Sequence, residues 1–147
     1  MLIKFIKNGK DLISSKEVNM KDRELHLLGH TLLRVTLGLM FAIAGFNKVM
    51  GIDGVTGMLS GLGFPVPLFF AWILALSELV FGALIFLGFQ TRYTTWPLAF
   101  VLLVAEILVV IPNSGIASSN SFLHLIAVAG LVTIALTGPG KWVVTKQ

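Results

Sequence analysis

The sequence predicts an all-α integral membrane protein, a four-helix bundle running up-down-up-down with both termini in the cytoplasm. Three observations carry this reading. The 147 residues are 56% apolar and only 12% charged, about half the roughly 25% charge with which soluble domains cover their surface. The charges also leave long gaps, because Glu78 is alone between Asp53 and Arg92, and Glu106 is alone between Arg92 and Lys141. About 20 helical residues cross the hydrocarbon core, so these gaps hold three spans and a fourth precedes them. Apolar runs this long and unalternating are helices rather than barrel strands, and the same composition excludes disorder.

Residues 1–26 form a basic tail with Lys4, Lys7, Lys10, Lys16, Lys21 and Arg23. Leu2, Ile3, Phe5, Ile6, Leu12 and Ile13 lie among these cations, a mixture suited to an anionic leaflet. A nucleic-acid groove would need basic side chains spread along a folded face, so no nucleic acid is expected as a partner. The first span is Leu27 to Phe46, interrupted by His30 and Arg34. Its Ala42-Ile43-Ala44 triplet looks like a signal-peptidase site, but the leader would be too long and contains acidic residues, which favours an anchored span. Met50 to Pro67 has five glycines and two prolines, with Val55, Met58, Leu59 and Leu62 at helical spacing, and reads as a short interfacial helix or lid on the outer side. The remaining spans are Pro67 to Phe89, Thr95 to Ile111 and Ser121 to Thr137. Gln90-Thr91-Arg92, Pro112-Asn113-Ser114-Gly115 and Gly138-Pro139-Gly140 supply the breaks. Residues 27–142 thus make one transmembrane domain, followed by a short tail at 143–147.

Orientation follows from the basic residues. The tail, Arg92, Lys141 and Lys146 put nine on one side against Lys48 alone on the other, which places both termini in the cytoplasm of a plasma-membrane protein. Trp72 near the outer boundary, and Tyr93, Trp96 and Trp142 near the inner one, suit the headgroup layer.

Ionisable groups at membrane depth are costly and are functional candidates for that reason. Arg34, Gly38, Phe41, Gly45 and Lys48 share one face of the first helix, and Ala71, Ala75, Glu78 and Gly82 share one face of the second. Ala99, Glu106 and Asn113 occupy successive heptad positions on the third; His124, Val128, Leu131 and Ala135 share a face of the fourth. Counting about 1.5 Å of rise per residue from the expected span ends brings Arg34 and Glu78 within reach as an inner pair. The same count gathers Lys48, Glu106 and His124 near the outer boundary as a candidate ligand or proton site, with Asn47 and Asn113 nearby. The plainer alternative for both groups is a set of satisfied polar anchors between helices. His26 and His30 stand at metal-chelating spacing, but an interfacial location is the more ordinary reading and no metal is expected. The absence of cysteine excludes disulfides, thiol redox chemistry and Cys-ligated clusters within the chain.

These residues resemble the DoxX family of small four-helix membrane proteins over about residues 28–142. The match rests on Leu32-Leu33-Arg34, Leu37-Gly38-Leu39 with Phe41, Gly45 with Lys48, and Gly61-Leu62-Gly63-Phe64-Pro65-Val66-Pro67. It continues through Glu78, Gly88 with Thr91-Arg92, and Gly138-Pro139-Gly140. Lys141-Trp142-Val143-Val144 departs from the Ser and Asp that commonly follow in relatives, which bears on the C-terminal contact and not on the fold. The resemblance implies four helices and marks Arg34, Lys48, Glu78 and Arg92 as family positions, Arg92 in a loop. It also implies a redox context, since some members are similar to the small subunit of a thiosulfate:quinone oxidoreductase and others associate with membrane redox or oxidative-stress complexes.

Three functions follow as expectations. The first is a subunit or accessory of a quinone-linked membrane oxidoreductase: a quinone needs an apolar slot, donors to its carbonyls and a protonatable relay, and its electrons would come from a redox partner subunit. The second is a non-catalytic scaffold, and the third a small carrier or proton pathway using the intramembrane carboxylates. A homo-oligomer is compatible with each.

Overall fold

A computed structural model describes the backbone of residues 2–144 and the side chains of residues 18–144. The reading of the first 17 residues as a tail lying on the leaflet falls outside the described side chains, as does the position of Lys146. The elements are α1 (Leu2–Met50), α2 (Ile52–Gly61), α3 (Pro67–Leu87), α4 (Thr91–Ala105), a π-helical turn (Glu106–Val110), α5 (Ile111–Ser114) and α6 (Ser119–Thr137). Four stretches are long and apolar enough to cross a membrane: Val18–Met50, Pro67–Leu87, Thr91–Ser114 and Ser119–Thr137. The chain is therefore an all-helical membrane bundle. Its outward faces carry large apolar side chains such as Leu32, Phe69, Phe100, Ile126 and Leu136, as lipid contact requires.

Around the bundle the order is α1, α3, α4, α6, and the α1–α3 contact is the most extensive. Glycine makes it so. A Cβ on Gly38 would collide with the backbone of Phe86, one on Gly45 with the backbone of Leu79, and one on Gly82 would stand 2.5 Å from the Ala42 nitrogen. Three glycines on two facing stripes thus bring the antiparallel helices to backbone contact, where dispersion replaces the hydrophobic effect that lipid does not supply. The centre is filled by Leu37, Phe41, Ile85, Leu98, Leu102 and Leu131, contributed by all four helices.

The glycine register sets depth. With Gly45 opposite Leu79 and Gly38 opposite Phe86, Glu78 stands level with the end of α1 near Lys48, whereas Arg34 stands level with the turn at Gly88. The two are about 18 Å apart along the helix axes. The expected Arg34–Glu78 pair is therefore not formed. Counting from the expected inner span ends misplaced Glu78, because the glycine register puts Val35, rather than Leu27, level with Phe89, an offset of about eight residues.

Two boundaries also differ from expectation. Gly88 and Gln90, both left-handed, make the α3–α4 turn, so Thr91 and Arg92 belong to the first turn of α4. At the far end Pro112 does not stop the helix. It cannot donate to the carbonyl one turn back and its ring crowds that carbonyl, so the preceding turn widens into the π form before Gly115 ends the segment. The widened turn breaks the expected heptad phase: Ala99 and Glu106 are buried, while Asn113 faces outward.

Each end of the bundle is covered. At one end α2 lies as a lid, packing Leu59 against Ala71 and Val109 with Val55 and Leu62 beside it, while Met58 stays exposed. At the other, residues 138–144 fold back as a strap. Thr31 Oγ1 accepts from Lys141 N at 2.7 Å, and Arg34 Nη2 donates to the carbonyls of Lys141 and Trp142 at 3.2 and 2.9 Å. Gly140, at φ 78°, fits because a Cβ there would stand 2.5 Å from Thr31 Oγ1 and 2.6 Å from Leu27 O. Gly140→Val combines that collision with a left-handed backbone costing about 1–2 kcal/mol. It is expected to free the strap, so that trypsin cleaves after Lys141 roughly tenfold faster than in the wild type. An unchanged cleavage rate would show that the strap is not held by this contact.

Candidate functional site

The lid half of the bundle contains a cleft of about 300 Å³ between α1, α3, α4 and α6. Its walls are mainly apolar, including Met40, Phe41, Leu102, Leu123 and Ala127, and its polar groups are Lys48, Glu78, Asn120 and His124. Each polar group arrives by a local rule. Lys48 lies one turn beyond Gly45 on the α1 stripe, and Glu78 follows Ala71 and Ala75 on the buried stripe of α3. The π turn begins at Glu106, immediately behind the cleft. Ser118 caps α6 by accepting from the Ser121 amide, which starts that helix so that Ser121 and His124 share its inward side.

The charged groups are joined in two pairs. Lys48 Nζ donates directly to Glu78 Oε2. The Glu78 side chain is 3% exposed and that of Lys48 30%, so the acid is buried behind a lysine that lines the cleft. On the opposite wall the Ser121 hydroxyl donates to Glu106 Oε1, and His124 Nδ1 lies 3.4 Å from Glu106 Oε2. The pattern repeats: His124 is 31% exposed and Glu106 5%. Two partly exposed nitrogen-bearing side chains thus line one apolar-walled space, each backed by a buried carboxylate. Burying those carboxylates is tolerable only because each has partners at hydrogen-bonding or near hydrogen-bonding range.

The structure thus redistributes the expected residues. Lys48, Glu106 and His124 do gather at one level, but Lys48 bonds Glu78 and brings that residue into the same site. Arg34 is at the strap end, 2% exposed, and its contacts are the strap carbonyls. Arg92 is exposed on the first turn of α4, also at the strap end. Asn47 and Asn113 are exposed and do not line the cleft. His26 is exposed, and His30 Nδ1 lies 3.3 Å from Thr137 Oγ1. Sequence reasoning missed Ser121 and Asn120. Ser121 was legible, since it stands one turn before His124 and a hydroxyl in an apolar helix seeks a neighbouring acceptor.

On the other side of α4, beneath the lid, a second groove of about 220 Å³ is lined only by apolar side chains, among them Leu59, Phe64, Phe70, Phe100 and Leu108. It offers room for a chain but nothing to orient a polar group.

Comparison with known proteins agrees with this architecture. The DoxX family model matches residues 29–111. A Bacillus subtilis protein named "Putative oxidoreductase CatD" is 34% identical over 113 residues, covering 76% of this chain and 80% of its own. The Escherichia coli inner membrane protein YphA is 32% identical over 117 residues, covering 73% and 81%. Inner membrane protein YqjF of the same organism is 28% identical over 125 residues, covering 84% and 95%. No solved structure matches the chain.

Proposed function

The chain belongs to the DoxX family, and from that premise we propose that it serves a quinone-linked membrane oxidoreductase, as a subunit or accessory, with the α1–α3–α4–α6 cleft receiving the quinone headgroup. The observation that carries this is the pair of partly exposed nitrogen-bearing side chains, Lys48 and His124, lining an apolar-walled space within the membrane-spanning helices. Two nitrogen-bearing side chains facing an apolar-walled slot suit a neutral ring with two carbonyl oxygens. A bulky anion is less suited, because Glu78 and Glu106 already balance the cations. The named oxidoreductase relative adds support at the level of context. A bound quinone would supply two-electron chemistry with two protons; this chain would orient the ring and handle protons, and a partner subunit would supply the electrons.

The test is direct. Protein purified from quinone-containing membranes should retain quinone in its lipid extract, at a level well above that carried by an unrelated four-helix protein in the same detergent. Glu106→Gln and His124→Ala should each lose most of it while keeping their helical content. If the wild type carries no more than the control, the quinone reading fails. The scaffold reading then takes its place, favoured by the fact that the two buried carboxylates already have partners within the chain.

We also place both termini in the cytoplasm, with the lid and the 115–118 connection outside, on the nine-to-one basic count. Single cysteines at Ser60 and Ser118 should react with an impermeant thiol reagent in intact cells, and one at Ser15 should not. The opposite labelling would invert the orientation and put the cleft near the cytoplasmic face.

A further inference from the structure

The mouth of the cleft follows from how α1 and α6 meet. Of the four helix contacts around the bundle, α1–α6 is the slightest. Two observations fix its register: a Cβ on Gly130 would stand 2.6 Å from a Leu37 methyl, and Thr137 Oγ1 lies 3.3 Å from His30 Nδ1. Carried toward the lid, that antiparallel register sets Met40 level with Ala127, Ala44 with Leu123 and Lys48 beside Asn120, and all of these line the cleft. The seam between the two helices is therefore closed from Gly130 toward the strap and parted toward the lid, from Met40 to Lys48, about 12 Å along the axis.

The parted stretch opens on lipid. Met40 and Leu123 line the cleft and are also exposed, and both lie within membrane-spanning segments. The lid packs elsewhere, on Ala71 of α3 and Val109 of the π turn. Along the seam the lining is graded: Lys48 and Asn120 stand at the lid end, Glu78 and His124 just below, and Met40, Phe41 and Ala127 form a deeper apolar half. Polar groups toward the boundary and apolar ones toward the middle is the order of a leaflet itself. The volume of about 300 Å³ is at the low end for a small-molecule site, room for one ring and not for a ring with a long chain.

We propose that the parted α1–α6 seam is a lateral portal and tail subsite. A long-chain quinone enters the cleft from the lid-side leaflet, its ring stops at the level of Lys48 and His124, and its chain leaves between Met40 and Leu123 into the surrounding lipid. The proposal rests on the quinone reading for the ring, and it adds the class of quinone and the route. A tailless, water-soluble quinone would leave the apolar half of the seam unfilled. A phospholipid could reach the same opening, but its phosphate would meet two buried carboxylates, Glu78 and Glu106. The apolar groove beneath the lid lies on the other side of α4, so it does not take the chain of a molecule whose ring is in the cleft.

Two measurements test it. The full chain in nanodiscs is irradiated with a ubiquinone analogue carrying a diazirine midway along a decyl chain, and mass spectrometry maps the adducts that excess decylubiquinone suppresses. These should fall at Met40 and Leu123. Suppressible adducts confined to Phe100 and Leu108, beneath the lid, overturn the portal and leave quinone binding standing. Ala44→Phe narrows the seam at mid-height, and by calorimetry it should weaken decylubiquinone binding roughly tenfold, the equivalent of about two chain methylenes left unburied. Ile43→Phe, exposed beside it and outside the cleft lining, should bind as the wild type does. Unchanged binding by a folded Ala44→Phe overturns the portal, and the wild-type adduct map decides the matter should that variant fail to fold. No suppressible adduct anywhere, with a phospholipid retained in native mass spectra, removes the quinone reading and the proposed occupant of the seam together.

Discussion

Gly45→Leu is expected to be the most damaging single substitution in the bundle, lowering stability by about 3 kcal/mol or preventing folding outright. Its Cβ would occupy the space of the Leu79 backbone, and backbone cannot swing aside as the end of a side chain can. The helices would have to separate, and separation loosens the contacts at Gly38 and Gly82 that depend on the same approach. Because Glu78 neighbours Leu79, the substitution would also pull the carboxylate from Lys48. Gly54→Ala and Gly57→Ala are the matched controls: both lie on α2 with nothing within 4 Å of a Cβ, and each should be neutral or stabilising by about 0.5–1 kcal/mol through helix propensity. Thermal denaturation in detergent, followed by circular dichroism, checks both halves. A Gly45→Leu variant that melts like the wild type would show that α1 and α3 do not meet at their glycines.

Those glycines also explain what could and could not be read from the sequence. Span number and type were legible because they depend on the length of apolar runs, which lipid enforces for each helix separately. The glycine stripes were legible as faces. Their register was not, because register depends on which glycine meets which backbone, and counting inward from assumed membrane ends gave Glu78 the wrong neighbour. One register choice decides the site: with Gly45 against Leu79, Glu78 belongs to Lys48 and joins the cleft, while Arg34 is left to bind strap carbonyls. The π turn was hidden for a related reason. Pro112 signalled a break, and a break was expected; in the structure the helix absorbs the missing donor by widening one turn and carries on. That widening turns Asn113 outward while keeping Glu106 in, so a heptad count that placed both on one face was right for only one of them.

The same register yields a prediction in which two pairs of variants behave oppositely. Glu78→Leu leaves the Lys48 ammonium beside an apolar wall, and Lys48→Met leaves a 3%-exposed carboxylate with no cation. Breaking a buried pair from one side costs about 3–5 kcal/mol. The loss from Glu78→Leu should fall at the lower end, because Lys48 is 30% exposed and can turn toward the cleft and its water. Lys48→Met should cost more, since Glu78 has no such escape. The double variant removes both charges and should recover a large part of the loss, giving a strong coupling between the two positions. Arg34→Leu is different. It strips the strap carbonyls of their donor at the far end of the bundle, so combined with Glu78→Leu its effect should add, to within about 0.5 kcal/mol, across the roughly 18 Å between them. Unfolding midpoints of the three single and two double variants, measured in one detergent, decide the matter. Coupling at Arg34–Glu78 with additivity at Lys48–Glu78 would reverse the register of α1 against α3, and with it the composition of the cleft.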